Sequence, residues 1–364
     1  MKFRKSLAVK STFLVLSLCL IFILSSFKPG SFSKISHKSN KTASSSFAPA
    51  PIVYVAKKPI TLSSASNVTI SGDSINGKRS VCITLNNCNN IHITKCKLMN
   101  STTRGIFLNN CTNILIDSCF ITNVAVGVYA HSGSGIRVVS NDFLNMRGPL
   151  PAGNFVQFNN VSGAGNQINY NKCEDIVGTG PNPYPQGGDG LSIFQSNGTA
   201  ASPIQVYGNW IRGGGTNTGT QGMAGIVAGD VGGSYQDIEN NILVNTGYVG
   251  IQQQGGSYMT ITHNTIYSDL LPYSGLGLGS ANYSGVPSVG STIAYNTIEW
   301  KAGYALCGCN FERDTAYKPG SGVNSNARPI GWNTNIVKAS LGPNILPVNL
   351  ISEYDYTNPP KVKY

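Results

Sequence analysis

The stretch Asn113-Ile114-Leu115-Ile116-Asp117-Ser118-Cys119-Phe120-Ile121 contains the pattern on which this chain is built. An aliphatic residue, Ile116, is followed three positions later by a small polar residue, Cys119, and two positions after that by the apolar Ile121. The same spacing occurs nine times. A pattern repeated in this way predicts a solenoid, in which each repeat forms one coil.

The three positions of the pattern hold similar residues throughout. The first members are Ile70, Ile93, Ile116, Val138, Ile168, Val206, Ile238, Ile261 and Ile293. The second members are Asp73, Cys96, Cys119, Asn141, Asn171, Asn209, Asn241, Asn264 and Asn296. The third members are Ile75, Leu98, Ile121, Phe143, Cys173, Ile211, Leu243, Ile266 and Ile298. Successive first members are 23, 23, 22, 30, 38, 32, 23 and 32 residues apart, so we interpret the shortest step as one coil and the longer steps as coils with insertions.

The coils are expected to consist of β-strands, because apolar and polar residues alternate with a period of two. A second alternation precedes each pattern, as in Gly105-Ile106-Phe107-Leu108 and Gly190-Leu191-Ser192-Ile193. One coil cannot bury its apolar face alone, but coils stacked about 4.8 Å apart form a continuous core. Inward Asn side chains would then hydrogen-bond to the turn backbone and to the Asn above and below, each bond contributing about 1 kcal/mol.

These repeats resemble those of the right-handed parallel β-helix proteins of the pectate lyase-like superfamily. The opening stretch and Thr260-Ile261-Thr262-His263-Asn264-Thr265-Ile266 are similar to that family's Asn-ladder turn between its second and third sheets. The resemblance covers roughly residues 60–310 and implies an all-β, right-handed parallel β-helix of about nine to ten coils. It says little about chemistry, since lyases, hydrolases, epimerases, phage tailspikes, adhesins and accessory proteins share the coil.

The chain divides into four predicted segments. Residues 1–27 combine a basic start with an apolar run and predict a signal peptide or an uncleaved signal anchor. Residues 28–58, rich in Ser, Lys and Pro, predict a linker, and 59–310 the β-helix. Residues 311–364 are irregular; Ile330 and Asn333 repeat the spacing of the first two pattern positions and suggest a degenerate coil and cap. We therefore expect an exported protein that is extracellular, periplasmic or on the cell surface, with membrane contact only if the first segment is uncleaved.

The net charge of +11 does not indicate a nucleic-acid partner. Residues 1–50 hold 8 of the 26 basic residues and no acid, so the remainder carries only 18 basic residues against 15 acidic ones. Without a basic stripe or a recognised motif, nucleic-acid binding is not expected. The sequence leaves the oligomeric state open.

Four cysteines occupy matching positions in consecutive repeats: Cys88 and Cys111, and Cys96 and Cys119. One interpretation is one or two disulfides formed in an oxidising compartment. We favour a second interpretation, in which Cys96 and Cys119 are small buried residues at the pattern position that Asn occupies in later repeats, because a disulfide requires strict geometry. No zinc-site spacing is present.

The resemblance places substrate saccharides along the outside of the first sheet, which is the Gly-Ile-x-Leu series. Aromatic rings and amides there could stack on sugar faces and pair with hydroxyls. A plain solvated strand face also needs polar residues, so the two interpretations stay open. The outward positions are Phe107, Asn109, Tyr129, His131, Gln157, Asn159, Ser192, Phe194, Gln252 and Gln254; Tyr129, His131, Gln157, Asn159 and Phe194, together with the loop residue Tyr184, are the predicted substrate-binding residues.

Three insertions lie just before first-sheet strands of consecutive coils, in residues 147–151, 177–190 and 212–225. They should form a wall beside that sheet, and clustered long loops of a solenoid commonly carry its function. The predicted catalytic residues in this neighbourhood are Arg147, Glu174, Asp175, Asp189 and Arg212.

A glycoside hydrolase would need two carboxyls about 5–9.5 Å apart. Asp189 precedes its strand and Asp230 ends the next one, so six residues at about 3.3 Å each are expected to hold them about 20 Å apart and to exclude a pair. Glu174 or Asp175 with Asp189 remains an alternative.

A lyase would need a base and a cation that stabilises the enolate. Arg212 or Arg147 could fill either role, with His131 or Tyr184 as proton donor. Glu174, Asp175 and Asp189 could hold a Ca²⁺, although no metal site is established by the sequence. Glu174 and Arg212 occupy one column of adjacent coils, which is also how a structural ion pair would look, and so do Asp142 and Lys172.

The sequence thus favours a secreted polysaccharide-acting protein, lyase-like in its reaction, on substrates that include uronates. The alternative is a non-catalytic module that binds glycan or acts as an adhesive surface.

Overall fold

The structure is a computed structural model that describes residues 52–148, 152–175, 188–213, 224–269, 275–281, 285–301, 315–317, 329–337 and 339–353. All of them belong to the unit Pro51–Tyr364. The predicted signal segment 1–27 and most of the linker 28–58 lie outside the described residues, as do Tyr184, Cys307 and Cys309.

The described residues form strands and two short 3₁₀ helices, η1 (Trp332–Thr334) and η2 (Pro343–Ile345). In chain order the strands are β1 (Val55–Lys57), β2 (Ile60–Ser63), β3 (Ser66–Ser71), β4 (Asp73–Lys78), β5 (Ile83–Asn86), β6 (Asn89–Thr94), β7 (Lys97–Ser101), β8 (Arg104–Asp117), β9 (Phe120–Val124), β10 (Val126–Val139), β11 (Asp142–Met146), β12 (Val156–Val161), β13 (Gln167–Asn169), β14 (Lys172–Glu174), β15 (Asp189–Asn197), β16 (Ile204–Tyr207), β17 (Trp210–Arg212), β18 (Ala224–Glu239), β19 (Ile242–Val244), β20 (Val249–Gln253), β21 (Gly256–Thr262), β22 (Thr265–Ser268), β23 (Leu276–Ser280), β24 (Ser288–Val289), β25 (Thr292–Ala294), β26 (Thr297–Trp300), β27 (Thr315–Tyr317) and β28 (Ile336–Val337).

The strands stack in three parallel faces. The first face contains β2, β5, β12, β15, β20, β23, β27 and the N-terminal halves of β8, β10 and β18. The second face contains β3, β6, β13, β16, β21, β25 and the C-terminal halves of the same three long strands. The third face is an eleven-stranded sheet in the order β1-β4-β7-β9-β11-β14-β17-β19-β22-β26-β28. Pairing each strand with its counterpart one repeat later is the architecture of a parallel β-helix, as predicted.

The repeated pattern maps directly onto these faces. All nine first members are partners in register on the second face. All nine third members are partners on the third face. Both sets are buried, at most 6% exposed. The apolar core therefore runs along the solenoid axis as continuous columns.

The second members form a hydrogen-bonded column at the turn between the second and third faces. From Asn141 to Asn296, each backbone N–H donates to the Oδ1 of the next Asn at 2.9–3.0 Å, and each Nδ2 donates to the same oxygen at 2.8–3.1 Å. The Nδ2 also donates to the carbonyl of the preceding coil's first member, as from Asn209 to Ile168 O at 2.7 Å. We call this column the Asn ladder.

Cysteines continue the ladder in two earlier coils. The Cys96 thiol donates to Ile70 O at 3.6 Å and the Cys119 thiol to Ile93 O at 3.8 Å. These carbonyls correspond to the one that an Asn amide binds in later coils. The six described cysteines, Cys82, Cys88, Cys96, Cys111, Cys119 and Cys173, are buried and free, which agrees with the interpretation of Cys96 and Cys119 as small buried replacements for Asn.

The ladder extends beyond Asn296 into the C-terminal region. Its next member is Asn335, whose Oδ1 accepts the backbone N–H of Asn296 at 3.0 Å. The spacing of Ile330 and Asn333 in the sequence predicts Asn333 at this position, but Asn333 is exposed. Trp332, three positions before Asn335, packs against the core, and Val337, two positions after it, pairs with Ile298. The sequence pattern does not identify this coil, because Trp332 stands at the first position, where the other coils have an aliphatic residue.

Residues 339–353, which we call the strap, run along the outside of the third face. Leu341 N–H donates to Glu299 Oε2 at 2.5 Å near the last strands. Leu346 and Leu350 pack against outward apolar residues of third-face strands. At the other end the Tyr54 hydroxyl donates to Glu353 at 3.0 Å. The strap therefore covers apolar surface on a face that would otherwise meet water.

Replacing Asn209 with Ala should lower the free energy of unfolding by about 2–4 kcal/mol, because the backbone N–H of Asn171 and the carbonyl of Ile168 lose their partners in the buried turn. Asn209→Cys should lose less, since a thiol in this column can still donate to the carbonyl, as Cys96 does. Chemical denaturation of the two variants would measure the difference. Equal losses would contradict the view that cysteine replaces the Asn amide functionally.

Candidate functional site on the first face

Two columns of outward side chains run along the first face from β8 to β18. They alternate with buried residues such as Ile106 and Leu108, because successive strand residues point to opposite sides. The first column contains Phe107, Tyr129, Gln157, Ser192 and Val227, partners in register, of which Ser192 and Val227 are buried. The second contains Asn109, His131, Asn159, Phe194 and Asp230. The structure thus brings together five of the six predicted substrate-binding residues.

An arginine that the sequence prediction missed lies at one end of the columns. The Arg104 guanidinium carbon is 5.0 Å from the ring centroid of Phe107 and 4.6 Å from that of Tyr129. The two rings are 5.8 Å apart and inclined by 43°. Stacking on two rings holds the cation in place, and its buried Nε has no hydrogen-bond partner. Alternation along the strand gave no signal, because a residue three positions before Phe107 is expected on the opposite side of the strand.

Amide side chains link the columns beside this arginine. Asn159 Nδ2 donates to the Tyr129 hydroxyl at 2.9 Å, and the half-buried His131 pairs in register with Asn159. A bonded phenol and amide are oriented in advance, which favours recognition of hydroxyl groups. This part of the face offers a cation, two rings and fixed hydrogen-bonding groups.

Two carboxyls, those of Asp189 and Asp230, lie towards the other end, where Asp230 is the register partner of Phe194, five residues after Asp189 in β15. The Asp230 carboxyl reaches back to Ser192, whose Oγ donates to Oδ2 at 3.4 Å. The pairing of β15 with β18 is irregular between Ser192 and Phe194, and Gly229 has a φ of 60°. A count of residues along a regular strand includes neither the bulge nor the reach of the side chain.

The pKa values of these carboxyls indicate that their charges interact. Burial raises the pKa of Asp189 to about 7, and the negative charge of Asp230 contributes to this rise. Burial also raises the pKa of Asp230, against the effect of its hydrogen bond from Ser192. Both carboxyls are therefore harder to ionise than an exposed aspartate.

The structure places Glu174 and Arg212 away from this face. They are register partners in third-face strands β14 and β17, and Arg212 Nη1 lies 3.1 Å from Glu174 Oε1. The guanidinium also donates to the strap carbonyls of Val348, at 2.9 Å, and Pro347. The expectation that the insertions bring both residues into the first-face neighbourhood is wrong, because their side chains point outward from another face and the strap covers them.

Asp175 lies at the end of the third face and is buried. Its Oδ1 accepts the backbone N–H of Met146 at 2.6 Å, while Oδ2 is buried without a hydrogen-bond partner. Burial raises its pKa to about 7, although the positive charge of Arg147 acts in the opposite direction. Arg147 itself donates to Asn123 Oδ1. These contacts give Asp175 and Arg147 a structural role in the turn.

The three carboxylates considered for Ca²⁺ have different surroundings. Glu174 pairs with Arg212 on the third face, Asp175 accepts from Met146 in a buried turn, and Asp189 is in first-face strand β15. Within the part of the chain that the structure describes, no group of three or more His, Cys, Asp or Glu side chains is arranged to hold a metal ion. In the same residues we find no helix with the length and apolar character needed to span a bilayer.

Arg212→Ala should lower the free energy of unfolding by about 2–4 kcal/mol, because it removes the cation facing a buried carboxylate and two bonds to the strap. Arg137→Ala is the matched control, since that arginine is exposed on the second face, and should change stability by less than about 0.5 kcal/mol. Denaturant titration provides the measurement. Unchanged stability combined with lost turnover would instead support a catalytic Arg212.

Asp175→Asn should stabilise the fold above pH 7. The folded pKa of about 7 lies above the ordinary value of 3.8, so wild-type stability falls as the pH rises from 4 to 7. The amide keeps the acceptor for Met146 without the buried charge, so the variant should gain up to about 4 kcal/mol relative to wild type at pH 8 and lose this advantage at pH 4. Urea denaturation across this range tests it; a pH-independent difference would contradict the assigned burial of charge.

Comparison with known proteins supports the fold. Residues 58–227 match the model of a family described as a right handed beta helix region. No curated protein matches the chain, and no solved structure matches it. The matched segment begins just before β2 and ends within β18 at Val227, three residues before Asp230. The stacked parallel coils and this match together identify the chain as a right-handed parallel β-helix protein.

Proposed function

We propose that the first face binds a polysaccharide and that Asp189 and Asp230 transfer protons during its cleavage. The observation that carries the proposal is the pair of carboxyls with raised pKa values at one end of a row of aromatic and amide side chains. Perturbed carboxyls in such a row are typical of functional sites. An extracellular glycan as substrate also fits the proposed export of the chain.

The substrate would lie parallel to the solenoid axis. Arg104 is in β8 and Asp230 in β18, four strands further along the first face, so the two residues are separated by about 19 Å along the solenoid axis at about 4.8 Å per strand. This length accommodates several monosaccharide units. Phe107 and Tyr129 would stack on a sugar, and Arg104 would bind a uronate carboxylate at the end distant from the reaction.

The carboxyl pair favours hydrolysis over the lyase reaction that the sequence suggested. A protonated Asp189 would donate to the leaving oxygen, and an ionised Asp230 would act as base or nucleophile. A lyase needs a cation beside the reacting uronate, but Arg212 is held by Glu174 and the strap, and Arg104 is three strands from Asp189 and four from Asp230. Activity should therefore fall above pH 7 as Asp189 loses its proton.

A second candidate is glycan binding without catalysis. The Arg104 stack favours it, because a fixed cation on two rings would bind an acidic sugar without any chemistry at the carboxyls. Under this alternative Arg104→Ala abolishes glycan retention, and the wild-type protein releases no product.

The test is turnover on pectate, alginate and neutral glycans, followed by both reducing ends and unsaturated-uronate absorbance. Asp189→Asn and Asp230→Asn should each lower kcat at least 100-fold. Asp237→Asn is the matched control, since this half-buried acid with a raised pKa lies on the second face, and it should retain activity. Absorbance from unsaturated products would instead support the lyase reaction predicted from the sequence. If no glycan yields a product but the protein still retains glycan measurably, the result would support the second candidate, glycan binding without catalysis.

A further inference from the structure

A cavity of about 350 Å³ lies at the corner between the second and third faces, outside the first-face site. Its lining includes Tyr170, Lys172, Tyr207, Gly208, Trp210 and Asn240. We propose that this cavity is a second saccharide site, selective for a sugar unit that carries a carboxylate. The inference does not depend on the first face being catalytic.

The cavity results from one missing side chain at the turn. Tyr170, Gly208 and Asn240 occupy the same position in successive coils, directly before the ladder residues Asn171, Asn209 and Asn241, and all three have positive φ. A Cβ on Gly208 would lie 2.8 Å from Cδ1 of the Tyr170 ring. Glycine therefore lets the tyrosine ring lie over the neighbouring backbone and leaves open space beside it.

Aromatic rings form the walls. Tyr170 is 56% exposed, and its ring centroid is 5.5 Å from that of Tyr207 at an angle of 75°. Trp210 is half-buried, since it packs on apolar residues of the third face and the strap while also lining the cavity. Rings fixed by such packing offer flat apolar surface at little entropic cost, which suits the C–H faces of a pyranose.

The charges around the cavity favour an anionic group. Lys172 is the register partner of Trp210 on one side and of Asp142 on the other, and its charge acts against the rise that burial causes in the pKa of Asp142. Among the described residues no carboxylate oxygen lies within 4.0 Å of the Lys172 amine, so the amine remains available to a further anion. A second cavity, of about 420 Å³, shares Tyr170 and Lys172 but is also lined by Asp142 and Glu353, which would repel a carboxylate. An acidic sugar would therefore bind on the Trp210 side, with its carboxylate at Lys172 and its hydroxyls near Asn240.

The experiment is a fluorescence titration, because Trp210 lines the cavity. Full-length protein carrying Asp189→Asn, which prevents turnover at the first face, is titrated with tetragalacturonate and with cellotetraose as the neutral probe. Tetragalacturonate should change tryptophan fluorescence and bind at least tenfold more tightly than cellotetraose. Tyr170→Ala and Lys172→Gln should each raise the Kd for tetragalacturonate at least tenfold.

Tyr295→Ala is the matched control. Tyr295 occupies the same turn position in a later coil, with a φ of 56° and 58% exposure, so its truncation has the same backbone cost and should leave the Kd within twofold. If Tyr170→Ala fails to fold by circular dichroism, Gly208→Ala displaces the ring without removing it and should also weaken binding at least tenfold.

Three results would overturn the proposal. One is binding weakened by Arg104→Ala but unaffected by Tyr170→Ala and Lys172→Gln, which would assign the sugar to the first face alone. Another is equal affinity for both probes with no effect of Lys172→Gln, which would remove the carboxylate selectivity. The third is no binding of tetragalacturonate at millimolar concentration.

Discussion

The structure depends on the hydrogen bonds that join each coil to the next at the turn between the second and third faces. A buried turn leaves backbone N–H and C=O groups that water cannot reach, and each unpaired group costs about 1–3 kcal/mol. In the Asn ladder one amide joins its own coil to both neighbouring coils: its oxygen accepts from the coil before it, and its nitrogen donates both to a carbonyl of that coil and to the coil after it. This continuity sets the register in which the core residues stack.

Because the ladder sets the register, the coil tolerates insertions elsewhere. Steps of 30, 38 and 32 residues leave the pairing of Val138, Ile168, Val206 and Ile238 unbroken. Most of the extra residues lie in sequence between a third-face strand and the next first-face strand, after β11, β14 and β17. A regular core and an irregular edge are thus compatible in one solenoid, and the edge can vary without cost to the stacking.

The role of a charged residue depends on the groups that surround it on its face of the solenoid. On the third face the strap covers Arg212 and Glu174, so their charges compensate each other and the cation binds backbone carbonyls. On the first face burial, with a further contribution from the negative charge of Asp230, raises the pKa of Asp189. Residues of one type are structural in one place and suited to proton transfer in another, according to what faces them.

The sequence by itself determined the stacked strands, the identity of the core columns, the Asn ladder and the role of Cys96 and Cys119, because each follows from a local period repeated along the chain. It also identified the first-face columns, since outward positions follow from alternation. Only the tertiary structure decided which charged residues meet. The contact of Asp230 with Ser192 lies beside a bulge, the contacts that hold Arg212 come from a strap more than a hundred residues later in the chain, and the position of Arg104 depends on two rings in different coils. Contacts between distant segments have no local period, so residue spacing cannot predict them.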